Sequence, residues 1–122
     1  MALSVLVVDD SAVSRSIVIR SLPPGWDVAI TQASNGSEAL VALGQQHHAV
    51  VLLDLNMPIM DGYEFLEAVR QSDTDRPIVI VLSGDVQPQA QARVKALGAH
   101  AFVKKPVRAQ TILDALQQCG VL

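Results

Sequence analysis

The chain contains a single cysteine, Cys119, in 122 residues. No internal disulfide can staple it, so the fold must rest on its core, and a lone thiol suits a reducing compartment. Cys119 falls late in the last helical stretch and reads as a packing residue. No run reaches the roughly 18 consecutive apolar residues of a membrane span, and the N-terminus shows neither the basic flank nor the cleavage site of a secretion signal. A cytoplasmic location with no membrane partner is the expectation. Positive charge is scarce as well: 9 Lys and Arg against 12 Asp and Glu leave a net charge of -3. That balance argues against the basic face that direct nucleic-acid binding requires. No glycine-rich phosphate loop follows the first apolar run, as a flavin- or nucleotide-binding domain would demand. No linker, charge block or low-complexity segment divides the chain, so one domain over residues 1–122 is expected.

What is present is an alternation. Hydrophobic residues make up 50% of the chain, and many gather in short runs near residues 4–8, 27–32, 49–53, 77–82 and 100–103. Runs of this length, rich in Val and Ile, predict parallel strands buried on both faces. Between them apolar residues recur at helical spacing, as in Val13/Ile17, Val18/Leu22, Leu40/Leu43, Phe65/Val69, Val94/Leu97 and Ile112/Leu116. Pro23-Pro24-Gly25 stops the first helix, while Gly98 and Gly120 follow the fourth and fifth. Five βα units with short connections predict right-handed crossovers and an α/β fold with one doubly wound sheet.

The ends of these runs carry the chemistry. Residues 4–8 lead into Asp9 and Asp10, residues 49–53 lead into Asp54, and Phe102-Val103-Lys104 leads into Lys105 and Pro106. In a parallel sheet the C-terminal strand edges line one crevice, where residues distant in sequence meet. Three carboxylates there repel one another unless a cation sits among them, which points to a metal-dependent acidic site. Simpler readings stand beside this one. Asp9-Asp10 could cap the first helix, Ser83-Gly84 could be a strand-end turn, and Met57-Pro58 with Asp61-Gly62 could punctuate a loop. Asp54, following five apolar residues, needs partners in any reading. In strand geometry Lys104 points opposite to Lys105, into solvent. His47 and His48 in a helix-to-strand loop, and His100 at the start of the fifth strand, lack the helical spacing of zinc ligands and are expected on the surface. Trp26 reads as a packing residue covering the end of the first helix.

Taken in order, Val7-Val8-Asp9-Asp10-Ser11, the segment Asp54-Leu55-Asn56-Met57-Pro58-Ile59-Met60-Asp61-Gly62, Ser83-Gly84 and Lys105-Pro106 resemble the receiver domain of two-component response regulators. The resemblance covers nearly the whole chain and is similar to single-domain receivers of the chemotaxis type. It implies a flavodoxin-like (βα)5 fold with a five-stranded parallel sheet in the order 2-1-3-4-5. It also implies that Asp54 is a phosphoacceptor forming an acyl phosphate. Asp10 and Asp54 directly, Asp9 through a water, and the backbone carbonyl of Asn56 would hold Mg²⁺, or Mn²⁺ in its place. Lys105, the Ser83 hydroxyl and the Gly84 N–H, beside Asn56, would take the phosphate oxygens.

The same resemblance makes Ser83 and Phe102 the switch that remodels the face of the fourth helix, fifth strand and fifth helix. Phe102 stands where many members carry tyrosine, so its inward state would rest on packing alone. Asn56 and Asp85 would flank the path of an attacking water and tune phosphoryl lifetime. The implied partners are a sensor histidine kinase or phosphotransfer protein and a downstream effector protein or domain, with homodimerisation through the same face open to it. Such a domain catalyses only its own phosphorylation and dephosphorylation, and is a switch rather than a turnover enzyme. A hydrolase of the aspartyl-phosphate type would want a second acid where Asn56 stands. A phosphorylation-independent interaction domain on the same fold is the alternative; it usually goes with a missing acid or lysine, and none is missing.

Overall fold

Apolar runs and amphipathic stretches alternate strictly in the computed structural model, which describes residues 2–72 and 76–122. The elements are β1 (Leu3–Val8), α1 (Ala12–Arg20), β2 (Val28–Ala33), α2 (Gly36–Gln45), β3 (Val50–Asp54), α3 (Gly62–Gln71), β4 (Ile78–Ser83), α4 (Pro88–Ala96), β5 (Ala101–Lys104) and α5 (Ala109–Gln118). The strands form one five-stranded sheet in the order β2-β1-β3-β4-β5. Every pairing is parallel, giving the flavodoxin-like α/β arrangement.

Side-chain alternation along the strands sorts the core into two layers. Leu6, Val8, Val51, Leu53, Val79 and Val81 pack with Ala39, Phe65, Leu66 and Val94 on the face of α2, α3 and α4. Val5, Val7, Val50, Leu52, Ile80 and Leu82 pack with Val18, Ile112 and Leu116 on the face of α1 and α5. All of β3 is buried, as expected of a central parallel strand covered on both sides. At about 1.5–3 kcal/mol for each large aliphatic side chain, these layers are the main source of stability. Trp26 and Cys119 pack against the second layer, in keeping with the packing roles expected of them.

Four strands lie one residue further along the chain than the apolar runs suggest. Pairing outlasts hydrophobicity: Asp54 pairs with Leu82, and Lys104 with Ser83. Polar residues therefore close β3, β4 and β5 and are held by the ladder itself.

Three helices start with a side-chain cap. Ser11 Oγ accepts from the Ser14 N–H at 3.2 Å, and Asn35 Oδ1 from the Glu38 N–H at 2.9 Å. Asp61 and Glu64 form a reciprocal capping box at α3. Each such cap contributes about 1 kcal/mol. In contrast, α4 opens at Gln87 without a side-chain cap and with Pro88 in its first turn.

The spacing of Val13 and Ile17 marks a helix, and α1 forms there, but the two are 70% and 41% exposed and face away from the core. Only Val18 of α1 is fully buried, because a helix on a sheet covers one stripe. One expectation needs correction. His48, expected on the surface, is 1% exposed; His47 beside it and His100 are exposed as expected. His47 faces solvent, whereas His48 turns inward just before β3. Neither ring nitrogen of His48 has a hydrogen-bond partner. Burial pushes its pKa below the ordinary value; the Ala42 carbonyl opposes this without a well-aligned hydrogen bond, and His47 adds to the lowering.

A histidine held neutral in the folded state makes unfolding easier in mild acid. The unfolded chain takes up the proton first, so stability is complete above about pH 6.5 and declines as pH falls below it. Urea midpoints measured from pH 8 to 5.5 are expected to fall more steeply in the wild type than in His48→Gln. Parallel curves would mean that His48 is not held neutral.

Candidate functional site

The register brings the polar strand ends to one edge. Val8 lies level with Ala33 on one side and Leu53 on the other, so Asp9 follows β1 beside Asp54 at the end of β3. The ladder continues beyond the strands, with the Asp9 N–H donating to the Ala33 carbonyl at 3.0 Å and the Lys105 N–H to the Ser83 carbonyl at 2.9 Å. The Lys105–Pro106 peptide is cis. Asp9 and Asp54 are buried, at 3% and 7% exposure, while Asp10 is open to solvent. Each of the three can offer an oxygen within 4.8 Å of the others.

Lys105 ties this cluster together. Its Nζ lies 2.9 Å from Asp9 Oδ2 and 3.1 Å from Asp54 Oδ1, and donates to Ser14 Oγ at 3.4 Å. Two like charges about 4 Å apart at an effective dielectric near 20 repel by about 4 kcal/mol, a large fraction of a domain's stability. The shared ammonium is what makes the pair tolerable.

The titrations follow. Burial raises the pKa of Asp54; Lys105 pulls it down and Asp9 pushes it up, with a net rise. Burial would also raise Asp9, but hydrogen bonds from Ser14, the Ser11 N–H and Lys105, together with the Lys105 charge, outweigh it and leave its pKa lowered. Lys105 is raised: burial disfavours its charge, and Asp9 and Asp54 more than compensate. The three groups thus form one coupled unit of opposite charges.

The remaining residues singled out from the sequence surround this unit. Ser83 is buried, and its hydroxyl accepts from the Asp85 N–H at 3.1 Å. The Asp85 carboxylate accepts from the Gln87 N–H at 3.0 Å, which ties it to the start of α4. Gly84 is exposed, with open space where a Cβ would stand. Asn56 is exposed in the loop after β3. Phe102 is half-buried against the α2–α4 layer and lines a cavity of about 310 Å³ with Val94 and Lys95 of α4. Lys104 is exposed, as its alternation with Lys105 suggests.

Sequence reasoning passed over two neighbours. Ser14 reaches Lys105, and Arg15 donates from Nη1 to the Asp9 carbonyl at 2.6 Å and from Nε to Gln32 Oε1 at 2.8 Å. Their positions three and four residues after the Ser11 cap, on one side of α1, were the available signal.

The loop from Asp54 to α3 is shaped by close packing. A Cβ on Gly62 would lie 2.7 Å from the Asp54 carbonyl and 2.8 Å from Leu55 Cα. Ile59 has φ 70° and is 83% exposed, a strained conformation for a β-branched residue. The three carboxylates are an all-oxygen donor set, which suits a hard divalent cation and not a soft one. Among the described residues, no helix is long and apolar enough to cross a membrane.

Comparison with known proteins agrees with this geometry. The family model for the response regulator receiver domain matches residues 5–117. The chemotaxis protein CheY of Halobacterium salinarum is 31% identical over 116 residues, covering 95% of this chain and 95% of that protein. The protein-glutamate methylesterase/protein-glutamine glutaminase of Treponema pallidum is 40% identical over 108 residues, covering 85% of this chain and 26% of that protein. The solved structure of the chemotaxis response regulator CheY4 of Vibrio cholerae superposes with a TM-score of 0.85 at 32% identity, covering 98% of this chain and 99% of that one.

Two glycine substitutions separate close approach from helix propensity. Gly62→Ala is expected to lose about 2 kcal/mol, because the clash is with backbone atoms that cannot turn aside. Gly44→Ala, within α2 and with open space around its Cβ, is expected to gain about 1 kcal/mol. Urea denaturation reads both, and equal effects would contradict the packing at Gly62.

Proposed function

The chain belongs to the response regulator receiver domain family, and from that premise we propose that Asp54 accepts a phosphoryl group and that the domain acts as a phosphorylation-dependent switch. The observation that carries this reading is Lys105 bridging Asp9 and Asp54 at 2.9 and 3.1 Å. An acceptor carboxylate, a second acid and a cation are thereby already gathered at one strand edge.

The donor is a phosphohistidine on a sensor histidine kinase or phosphotransfer protein. An Asp54 carboxylate oxygen attacks phosphorus, the P–N bond breaks, and its electron pair stays on the imidazole nitrogen. Asp9, Asp10, Asp54 and the Asn56 carbonyl would hold Mg²⁺, or Mn²⁺ in its place, which when bound offsets the charge of the transferring group. One divalent cation and Lys105 balance the three carboxylates, so the incoming phosphoryl group does not face a net negative site. Lys105 turns from Asp9 to a phosphate oxygen, and Ser83 and the Gly84 N–H donate to another. Burial of Asp54 keeps bulk water from competing for the phosphorus.

The signal leaves through Ser83 and Phe102 toward the face of α4, β5 and α5, where a downstream effector or a second copy of the chain binds. The half-buried position of Phe102, beside a cavity, is compatible with its turning inward. Water returns Asp54 to a carboxylate, and Asn56 and Asp85 set how fast. Since Asp85 is tied to the start of α4, its influence on that step runs through the β4–α4 loop. The domain spans residues 1–122, works in the cytoplasm without direct nucleic-acid binding, and turns over only its own phosphoryl group.

Intact-mass measurement after incubation with a small-molecule phosphodonor tests the reading. One phosphoryl group is expected with Mg²⁺, none without it, and none on Asp54→Ala. Addition to Asp54→Ala would overturn the assignment. No addition and no Mg²⁺ binding by the wild type would favour a phosphorylation-independent interaction domain.

A further inference from the structure

An ammonium has three N–H donors, and around Lys105 three oxygens stand ready for them. Asp9 Oδ2 lies at 2.9 Å, Asp54 Oδ1 at 3.1 Å and Ser14 Oγ at 3.4 Å. The first two belong to the acidic cluster, whereas the third comes from α1. The Ser14 side chain is not needed to start that helix. The Ser11 hydroxyl caps α1, and Ser14 contributes only its backbone N–H to that cap. Its hydroxyl is therefore free to serve the site.

The backbone of Asp9 is secured independently. Its N–H donates to the Ala33 carbonyl, and its carbonyl accepts from Arg15. Removing the Ser14 hydroxyl would thus alter the side-chain network and leave the path of the chain unchanged.

We propose that Ser14 is a positioning residue: its hydroxyl completes a three-oxygen cage that parks Lys105 on Asp9 and Asp54, and so restrains release of Asp9 to a divalent cation. In the resting site Lys105 occupies Asp9 Oδ2, the carboxylate that must turn toward an arriving cation. The Ser14 oxygen accepts from the ammonium, and its proton is available to the Asp9 carboxylate. Both contacts belong to the parked arrangement. Ser14 thereby sets the cation concentration at which the site becomes competent, without touching the transferred group.

The inference rests on the receiver reading, and the experiment separates the two. Mg²⁺ titrations by calorimetry are made on the wild type, Ser14→Ala, Ser14→Thr, Lys105→Ala and the Ser14→Ala/Lys105→Ala double variant. Ser14→Ala is expected to lower the Mg²⁺ Kd about threefold to tenfold, the scale of one modest hydrogen bond to a charged group. Ser14→Thr, which keeps the hydroxyl, should stay near the wild-type value. In the Lys105→Ala background the Ser14→Ala effect should shrink, because no ammonium remains to be parked and only the contact of Ser14 with Asp9 is left. With a small-molecule phosphodonor, Ser14→Ala should react faster at subsaturating Mg²⁺ and at the wild-type rate at saturation. An unchanged or raised Kd in Ser14→Ala, or an effect undiminished without Lys105, would overturn the proposal and leave the receiver reading intact. A wild type that binds no Mg²⁺ would overturn both.

Discussion

A parallel sheet covered on both faces leaves no room for charge along its strands, and the rest of this molecule follows from that constraint. β3 is dry throughout, and its neighbours β1 and β4 are nearly so. Polar chemistry is consequently confined to the strand ends. At the C-terminal edge the register sets Asp9 beside Asp54, with Ser83 and then Lys105 just beyond them on the neighbouring strands. The two apolar layers therefore do more than stabilise the fold, because they decide where charged groups can stand.

Charge concentrated at one edge has to be balanced there. Asp9 and Asp54 are buried and close together, and the Lys105 ammonium is the protein group that neutralises both. The neutralisation is shared unevenly. Asp9 receives additional hydrogen bonds and is the stronger acid, whereas Asp54 is dominated by its burial and is the weaker one. Adjacent carboxylates with opposite shifts have divided the work between a well hydrogen-bonded anchor and a more basic oxygen dominated by burial.

Much of this was legible in the residues. Asp9, Asp54 and Lys105 each follow an apolar run, and polar residues in such positions mark strand ends. The order of the motifs also identified the family and with it the sheet order. What was missed has physical causes. Strand boundaries slipped by a residue because hydrophobicity reports burial, while a ladder such as Asp54 with Leu82 runs on into polar sequence. His48 was misjudged because a polar residue in a short connection can still turn inward, and nothing in its neighbours distinguishes it from His47. The spacing of Val13 and Ile17 marked the helix correctly, but spacing alone does not say which of two apolar stripes meets the sheet. Ser14 and Arg15 escaped notice because their partners are a lysine 91 positions away in the chain and a backbone carbonyl.

The packing of Gly62 gives the site one hard wall and one compliant one. Behind Asp54 the α3 backbone is seated so closely that not even a methyl group fits, and α3 itself is clamped by a capping box. On the opposite side Gly84 has open space around it and leads into α4, whose first turn lacks a side-chain cap. A group wedged between two such walls displaces the softer one. Any expansion of the crevice is thus directed toward the β4–α4 loop by the unequal stiffness of its sides, much as a vice with one fixed jaw opens in a single direction.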